Sequence, residues 1–101
     1  LSYNLITSLQ PLEGLTHLQV LLVAGNRIAS LQGLTNLGLL ECLDLKCNYV
    51  ERLPEVRLLS LNAGLRVLTL QGNPVAKLAS YRSAIVSELP ALLMLDGQRT
   101  P

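Results

Sequence analysis

Residues 40–53, LECLDLKCNYVERL, place leucine or valine at positions 40, 43, 45, 50 and 53 around a central Asn48. The same frame surrounds Asn26, 22 residues earlier, over residues 18–31, and Asn73, 25 residues later, over residues 65–78. Asn4 continues the series 22 residues before Asn26. A frame repeated at this period indicates a solenoid, in which each repeat buries its apolar face only against its neighbours.

The alternating pairs within the frame predict one short strand per repeat. Leu43 and Leu45 are two residues apart, so both side chains point to the same side of a strand. Later positions of the frame, such as Ile28 and Leu31, lie on the segment that returns to the next strand, and their side chains must point back toward the same interior. The asparagine falls where the chain leaves the strand. There its amide can pair buried backbone groups that would otherwise cost about 1–3 kcal/mol each.

With these repeats the sequence resembles the leucine-rich repeat family over nearly its whole length. The resemblance implies an α/β class fold, a right-handed solenoid with short parallel strands on the concave face and short helical turns on the convex face. It also implies a buried ladder formed by Asn26, Asn48 and Asn73. The period and the short return segments are similar to the 22-residue class typified by the regulatory subunit of type-1 protein phosphatase.

The return segments differ in length. The segments at residues 12–18 and 31–37 read as near copies and predict tight helical turns. The third return, residues 53–65, is three residues longer and contains Pro54, which predicts a helix over residues 55–62. The chain enters in phase at Leu1, so we expect further repeats upstream of it, the alternative being a partner that covers this end.

A change of pattern after Asn73 predicts a C-terminal cap. It resembles the cap of the spliceosomal A-prime subunit and marks the end of the repeat array. A helical stripe is formed by Tyr81, Ile85, Val86 and Leu89, with Arg82, Ser83, Ser87 and Glu88 facing away. Pro90 ends the helix, because the residue before a proline is disfavoured in helical geometry.

We therefore divide the chain into repeats at residues 1–78, the first incomplete, and a cap at residues 79–101. Tyr81 and Leu89 are expected to be buried, and Arg82 to lie near the turns at Asn73 and Asp96.

Composition narrows the class of protein. Leucine supplies 27 of 101 residues and neither Phe nor Trp occurs, so the interior is expected to consist of leucine rows. A net charge of +1 and only three aromatic residues argue against nucleic-acid binding. No apolar run approaches the roughly 18–20 residues of a membrane span.

Neither the cysteines nor the acidic residues predict chemistry. Cys42 and Cys47 are expected roughly 16 Å apart along an extended chain, too far for a disulfide, and predict free thiols. His17 lies a repeat away, so no metal ligand set forms. Asp44 and Asp96 are expected on one face, roughly 10 Å apart, as solvated surface charges. We therefore expect no catalysis, cofactor or small-molecule substrate.

The outward positions of the strands predict a binding surface. If Leu21 and Val23 point inward, their neighbours must point outward. The predicted surface contains Val20, Leu22, Ala24, Cys42, Asp44, Lys46, Val67, Thr69 and Met94, with Ser2, Gln71, Asp96 and Tyr3 around it. Its apolar centre is typical of a protein–protein contact, since soluble surfaces rarely expose contiguous apolar patches. Simple tolerance of apolar residues on the concave side remains the alternative.

These features predict an intracellular protein-interaction scaffold or targeting module, cytoplasmic or cytoskeletal, with a ciliary assembly favoured by analogy with similar repeat proteins. The expected partner is another protein, with no nucleic acid, membrane or small molecule involved. The alternative is a regulatory or docking domain of an enzyme complex, such as a phosphatase.

Overall fold

The computed structural model describes residues 5–100, so the predictions for Ser2, Tyr3 and Asn4 lie outside the described residues. Within that range the chain forms a leucine-rich-repeat-like solenoid. The strands are β1 (Val20–Leu22), β2 (Cys42–Asp44), β3 (Val67–Thr69), β4 (Met94–Leu95) and β5 (Gln98–Arg99). The α-helices are α1 (Leu53–Arg57) and α2 (Tyr81–Glu88), and 3-10 helices span Gln10–Leu12, Gln32–Leu34, Leu58–Leu61 and Pro74–Lys77.

The sheet confirms the predicted register. Strands β1 to β4 are parallel neighbours in chain order, and Leu21, Leu43, Leu68 and Leu95 are aligned across them. These leucines are buried, and behind them lie further buried residues from the return segments. Each coil therefore closes its interior with leucine side chains from both walls, and neighbouring coils cover one another.

The return segments follow a register that differs from the predicted one. The first two 3-10 helices, Gln10–Leu12 and Gln32–Leu34, are 22 residues apart, so Pro11 and not Gly14 is the counterpart of Gly33. The prediction that residues 12–18 copy residues 31–37 was therefore wrong by three positions. Residues 12–15 and 31–34 both read L-x-G-L, but this likeness does not show which residues are equivalent in neighbouring coils. The pairing of the strands sets that register.

The third return also departs from the expected single helix over residues 55–62. Helix α1 begins at Leu53, with Pro54 in its first turn, where a missing backbone N–H costs nothing. After Arg57 the chain tightens into a 3-10 helix, Leu58–Leu61, and the Asn62 N–H bonds the Leu59 carbonyl at 3.0 Å. Tightening of the last turn is a usual end for a short helix.

Helix α2 packs against α1 and against the Pro74–Lys77 turn. Tyr81, Ile85 and Leu89 are buried, whereas Val86 is only half-buried. The helix ends where predicted, with the Leu89 N–H bonded to the Ile85 carbonyl just before Pro90. The Leu78 side chain, the last apolar position of the third frame, is exposed.

Replacement of Leu89 by Ala is expected to lower the free energy of unfolding by about 2 kcal/mol. The value lies at the low end for a buried leucine because Leu89 borders a surface cavity that allows some relaxation. Chemical denaturation of the wild type and variant measures the loss. Leu93→Ala is the matched control, since Leu93 is exposed. A loss for Leu89→Ala no larger than for the control would show that α2 does not stabilise the last coil.

Candidate interaction surface on the concave sheet

The outward side chains of the parallel strands form an apolar row. Strand pairing aligns Val20, Cys42, Val67 and Met94 on one line across the sheet. Val20 is 53% exposed, and the other three are half-buried. Adjacent strands are about 4.8 Å apart, so the row extends roughly 14 Å over three strand steps. The register thus brings these four predicted residues together.

A second, more polar row runs beside the first. Leu22, Asp44 and Thr69 are aligned by strand pairing, and Leu22 is 52% exposed. The Asp44 Oδ1 atom accepts a hydrogen bond from the Lys46 N–H at 3.0 Å, which holds the carboxylate at the end of the strand. Burial, and then the nearby Asp44 carboxylate, raise the pKa of the Cys42 thiol. The thiol therefore stays neutral and extends the apolar row. The seven residues of these two rows are called the concave patch: Val20, Cys42, Val67, Met94, Leu22, Asp44 and Thr69.

The third predicted row is not formed as expected. Lys46 is exposed, but Ala24 is only 6% exposed and does not contribute a contact surface. The backbone pairing continues past β1, since the Gly25 N–H bonds the Lys46 carbonyl at 2.8 Å, so Ala24 keeps the register of the exposed Lys46. The chain then turns at Gly25, whose φ is 72°. The methyl group is too short to leave that turn, whereas the Lys46 side chain reaches solvent.

Asp96 belongs to the cap and not to the concave row, so its interpretation as a solvated surface charge was wrong. Its Oδ1 atom accepts from the N–H groups of Leu70 at 2.7 Å and Gln71 at 3.0 Å. Its Oδ2 atom accepts from the Tyr81 hydroxyl at 2.7 Å. Burial and this hydrogen bond raise the pKa of Tyr81. The carboxylate thus joins the third coil to helix α2.

The position of Asp96 follows from a hairpin that the sequence signalled. Asp96 and Gly97 both have positive φ, 53° and 78°, and connect β4 to the antiparallel strand β5. An Asp-Gly pair between two short strands is a strong signal for this type of turn. The pair was interpreted only as part of the cap, so the hairpin itself was not predicted.

Arg82 lies at the Asp96 turn but does not contact Asn73 through any hydrogen bond described for residues 5–100. Its guanidinium donates to the carbonyls of Leu95 at 3.1 Å and Arg99 at 2.8 Å, and to that of Gln98 at 3.3 Å. The expected position beside the Asp96 turn is therefore confirmed, whereas nearness to Asn73 stays a prediction. Arg82 occupies the carbonyls of the outermost strand, so fewer acceptors remain at that edge of the sheet.

The asparagines form a ladder along the turns that follow strands β1 to β3. Asn48 is 2% exposed, and its Nδ2 donates to the Leu45 carbonyl at 2.9 Å and to the Val23 carbonyl of the preceding coil at 3.0 Å. Its Oδ1 accepts from the Ile28 N–H at 3.0 Å. Asn73 repeats the same three bonds one coil later, to Leu45, Leu70 and Val50. Asn26 is also buried, donates to the Val23 carbonyl at 2.8 Å and accepts from the Ile6 N–H at 3.1 Å.

Asn62 is a buried polar residue that the sequence patterns did not predict. Asn62 lies 25 residues after Leu37, and its neighbours Leu59 and Leu65 keep the same offset from Leu34 and Leu40. Its Nδ2 donates to the carbonyls of Leu34 at 2.7 Å and Leu37 at 2.9 Å. An asparagine at a position where the preceding coil has a buried leucine was the available signal.

The potentially reactive side chains of the concave patch are the Cys42 thiol and the Asp44 carboxylate. Cys42 and Cys47 are free thiols. Within residues 5–100, no three His, Cys, Asp or Glu side chains are grouped so that they could hold a metal ion. No helix in the described part of the chain is long and apolar enough to cross a membrane. The concave patch itself contains four apolar side chains, the Cys42 thiol, the Thr69 hydroxyl and one charge, the Asp44 carboxylate.

A model of the leucine-rich repeat family matches residues 1–100 of this chain. The chain is 41% identical over 95 residues to dynein axonemal assembly factor 11 of Trypanosoma brucei brucei, covering 94% of this chain and 25% of that protein. It is 37% identical over 92 residues to leucine-rich repeat-containing protein 23 of Xenopus tropicalis, covering 90% of this chain and 26% of that protein. The chain thus spans about a quarter of the length of these two relatives.

Among solved structures, the fold is similar to that of a chain in the Drosophila melanogaster SNF/U2A' complex. The TM-score is 0.76 at 22% sequence identity, and the match covers 99% of this chain and 55% of that chain. A likeness at this identity shows a shared fold.

Proposed function

This chain belongs to the leucine-rich repeat family, and we propose that it is a protein-interaction scaffold whose concave patch binds a protein partner. The observation that carries the proposal is the alignment of Val20, Cys42, Val67 and Met94 beside the exposed Leu22. Contiguous exposed apolar area of this kind marks contact surfaces on soluble proteins. An apolar centre with polar groups at its rim, here Asp44 and Lys46, is the usual composition of an interface.

We also propose a place for this module in an intracellular, ciliary or cytoskeletal assembly. Support comes from the relative whose name is dynein axonemal assembly factor 11. The 22-residue spacing of Asn26 and Asn48 favours the repeat class typified by the phosphatase regulatory subunit. The packing of α2 against α1 supports residues 79–101 as the cap of repeats 1–78.

The double variant Leu22→Asp, Val67→Asp is expected to fold and to lose its partners. Neither side chain belongs to the buried core, so the unfolding transition should move little. Interfaces concentrate binding energy in a few central residues, and a loss of about 1.4 kcal/mol weakens binding tenfold. Affinity capture from an extract of ciliated cells, quantified by mass spectrometry, should show at least about tenfold depletion of the specific partners.

The matched control is Leu15→Asp, Leu39→Asp, which makes the same chemical change at two exposed leucines of the return segments. It should retain the partners that the concave variant loses. Equal depletion by both variants would indicate a non-specific effect of charge. Full retention by the folded concave variant would place the binding surface elsewhere on the molecule.

A further inference from the structure

Strand β5 adds one charged side chain to the end of the apolar row on the concave face. Arg99 of β5 pairs with Met94 of β4 in antiparallel register. Directly paired residues of neighbouring strands present their side chains on the same face of a sheet. Met94 is aligned with Val67 on the outward face, so Arg99 lies on that face too. Across the sheet the row is Val20, Cys42, Val67, Met94 and Arg99, roughly 19 Å over four strand steps.

The Arg99 guanidinium is accessible to a partner and its backbone is fixed. The residue is exposed, and its side chain has no hydrogen-bond or ion-pair partner among residues 5–100. Arg82 donates to the Arg99 carbonyl at 2.8 Å, and the Thr100 N–H bonds the Leu93 carbonyl at 2.9 Å. The other charges at this hairpin, Arg82 and Asp96, are opposite and engaged in the cap. A cation on a fixed strand lowers the cost of ordering an interface.

The remaining charges along the row occur as opposite neighbours. Asp44 and Lys46 lie at the end of β2, where the Lys46 N–H bonds Asp44 Oδ1 at 3.0 Å. On the other side of the row, Glu41 and Arg66 directly precede β2 and β3, and the Arg66 N–H bonds the Glu41 carbonyl at 2.9 Å. Each of these pairs has a formal charge of zero. Among the described residues around the row, Arg99 is therefore the charge without an opposite neighbour.

We propose that the partner segment bound by the concave patch carries an aspartate or glutamate at one end of its apolar residues, and that this carboxylate pairs with Arg99. The inference rests on the proposed function of the patch and adds the chemistry of its partner. A guanidinium binds a carboxylate through two parallel hydrogen bonds. A charge at the rim of an interface selects the partner and fixes its direction, because a like charge placed there is repelled.

The test selects peptides of about 12 residues from a random phage-displayed library, a length that spans the row in helical or extended form. Wild-type protein should enrich peptides with Asp or Glu at one end of an apolar cluster. Arg99→Glu should enrich Lys or Arg at that place instead. Arg52→Glu is the matched control, since it reverses the charge of an exposed arginine outside the sheet, and it should enrich the same acidic peptides as the wild type.

Affinities of the most enriched acidic peptide measure the effect. Fluorescence anisotropy should show binding to Arg99→Gln weakened about two- to fivefold, the range of an exposed ion pair, and binding to Arg99→Glu weakened at least about tenfold. Replacing the acidic residue of the peptide by lysine should reverse the preference, so that Arg99→Glu binds this peptide more tightly than the wild type does. Thermal unfolding of both variants should match the wild type, because the Arg99 side chain is exposed.

Failure of this inference and failure of the proposed function give different results. Peptides that bind the wild type but not Leu22→Asp, Val67→Asp, and that lack an acidic preference or keep it on Arg99→Glu, would contradict the pairing and leave the patch as the binding surface. Arg99 would then only protect the sheet edge from pairing with another chain. Peptides that bind Leu22→Asp, Val67→Asp as well as the wild type would overturn both. If no patch-dependent peptide is enriched, recognition of a single acidic segment is wrong, and the partner capture described above decides the proposed function separately.

Discussion

Gly33→Ala is expected to lower the free energy of unfolding by about 3 kcal/mol or more, the upper end for overpacking. A Cβ atom at Gly33 would lie 2.3 Å from the carbonyl carbon and oxygen of Leu9 and 2.6 Å from the Gln10 nitrogen. All three are backbone atoms of the preceding coil, so no side-chain rotation relieves the contact. The two coils would have to separate there, and buried contacts between their return segments would weaken.

Gly38→Ala and Gly14→Ala are the matched controls, because a Cβ atom at either position meets nothing within 4 Å. Each should be neutral or stabilising by up to about 1 kcal/mol, since alanine restricts the unfolded chain more than glycine does. Urea unfolding of the three variants measures the difference. A loss below about 1 kcal/mol for Gly33→Ala would show that the first two coils are not packed backbone to backbone.

Asn48→Leu is expected to lower the free energy of unfolding by about 3 kcal/mol, chiefly because it leaves a buried backbone N–H without an acceptor. The carbonyls of Val23 and Leu45 would each keep a donor, from Asn26 and Asn73 respectively. The Ile28 N–H would lose its acceptor and remain in the core, where Ile28 is fully buried. Most of the loss therefore arises at Ile28 and from the fit of the new side chain within the turn.

The matched control is Asn36→Leu, the same change at an exposed asparagine. It should alter the free energy of unfolding by less than about 0.5 kcal/mol. Hydrogen exchange adds a local measurement, since the Ile28 amide should lose protection in Asn48→Leu more than the average core amide. Equal destabilisation by the two variants would contradict the ladder as a source of stability.

The repeated frame was sufficient to predict the strands, the inward leucines and the asparagine ladder. These features depend on side-chain alternation and on a period that every coil repeats, so each copy supports the same register. The outward positions Val20, Leu22, Cys42, Val67 and Met94 followed from the same rule. The rule gave a wrong answer at Ala24, whose short methyl group is buried, and at Asp96, whose carboxylate binds groups of the third coil and of helix α2.

Features between coils could be decided only by the tertiary structure. Gly33 packs against the backbone of Leu9 and Gln10 in the preceding coil. The likeness of the sequence around Gly33 to that around Gly14 had suggested a wrong alignment of the two coils. Asp96 became part of the cap because two positive φ angles turn its carboxylate toward Leu70, Gln71 and Tyr81. Asn62 is buried against the preceding coil, where its Nδ2 donates to the carbonyls of Leu34 and Leu37. Periodicity specifies which side of the chain faces inward, whereas these contacts depend on how separate coils and the cap approach one another in space.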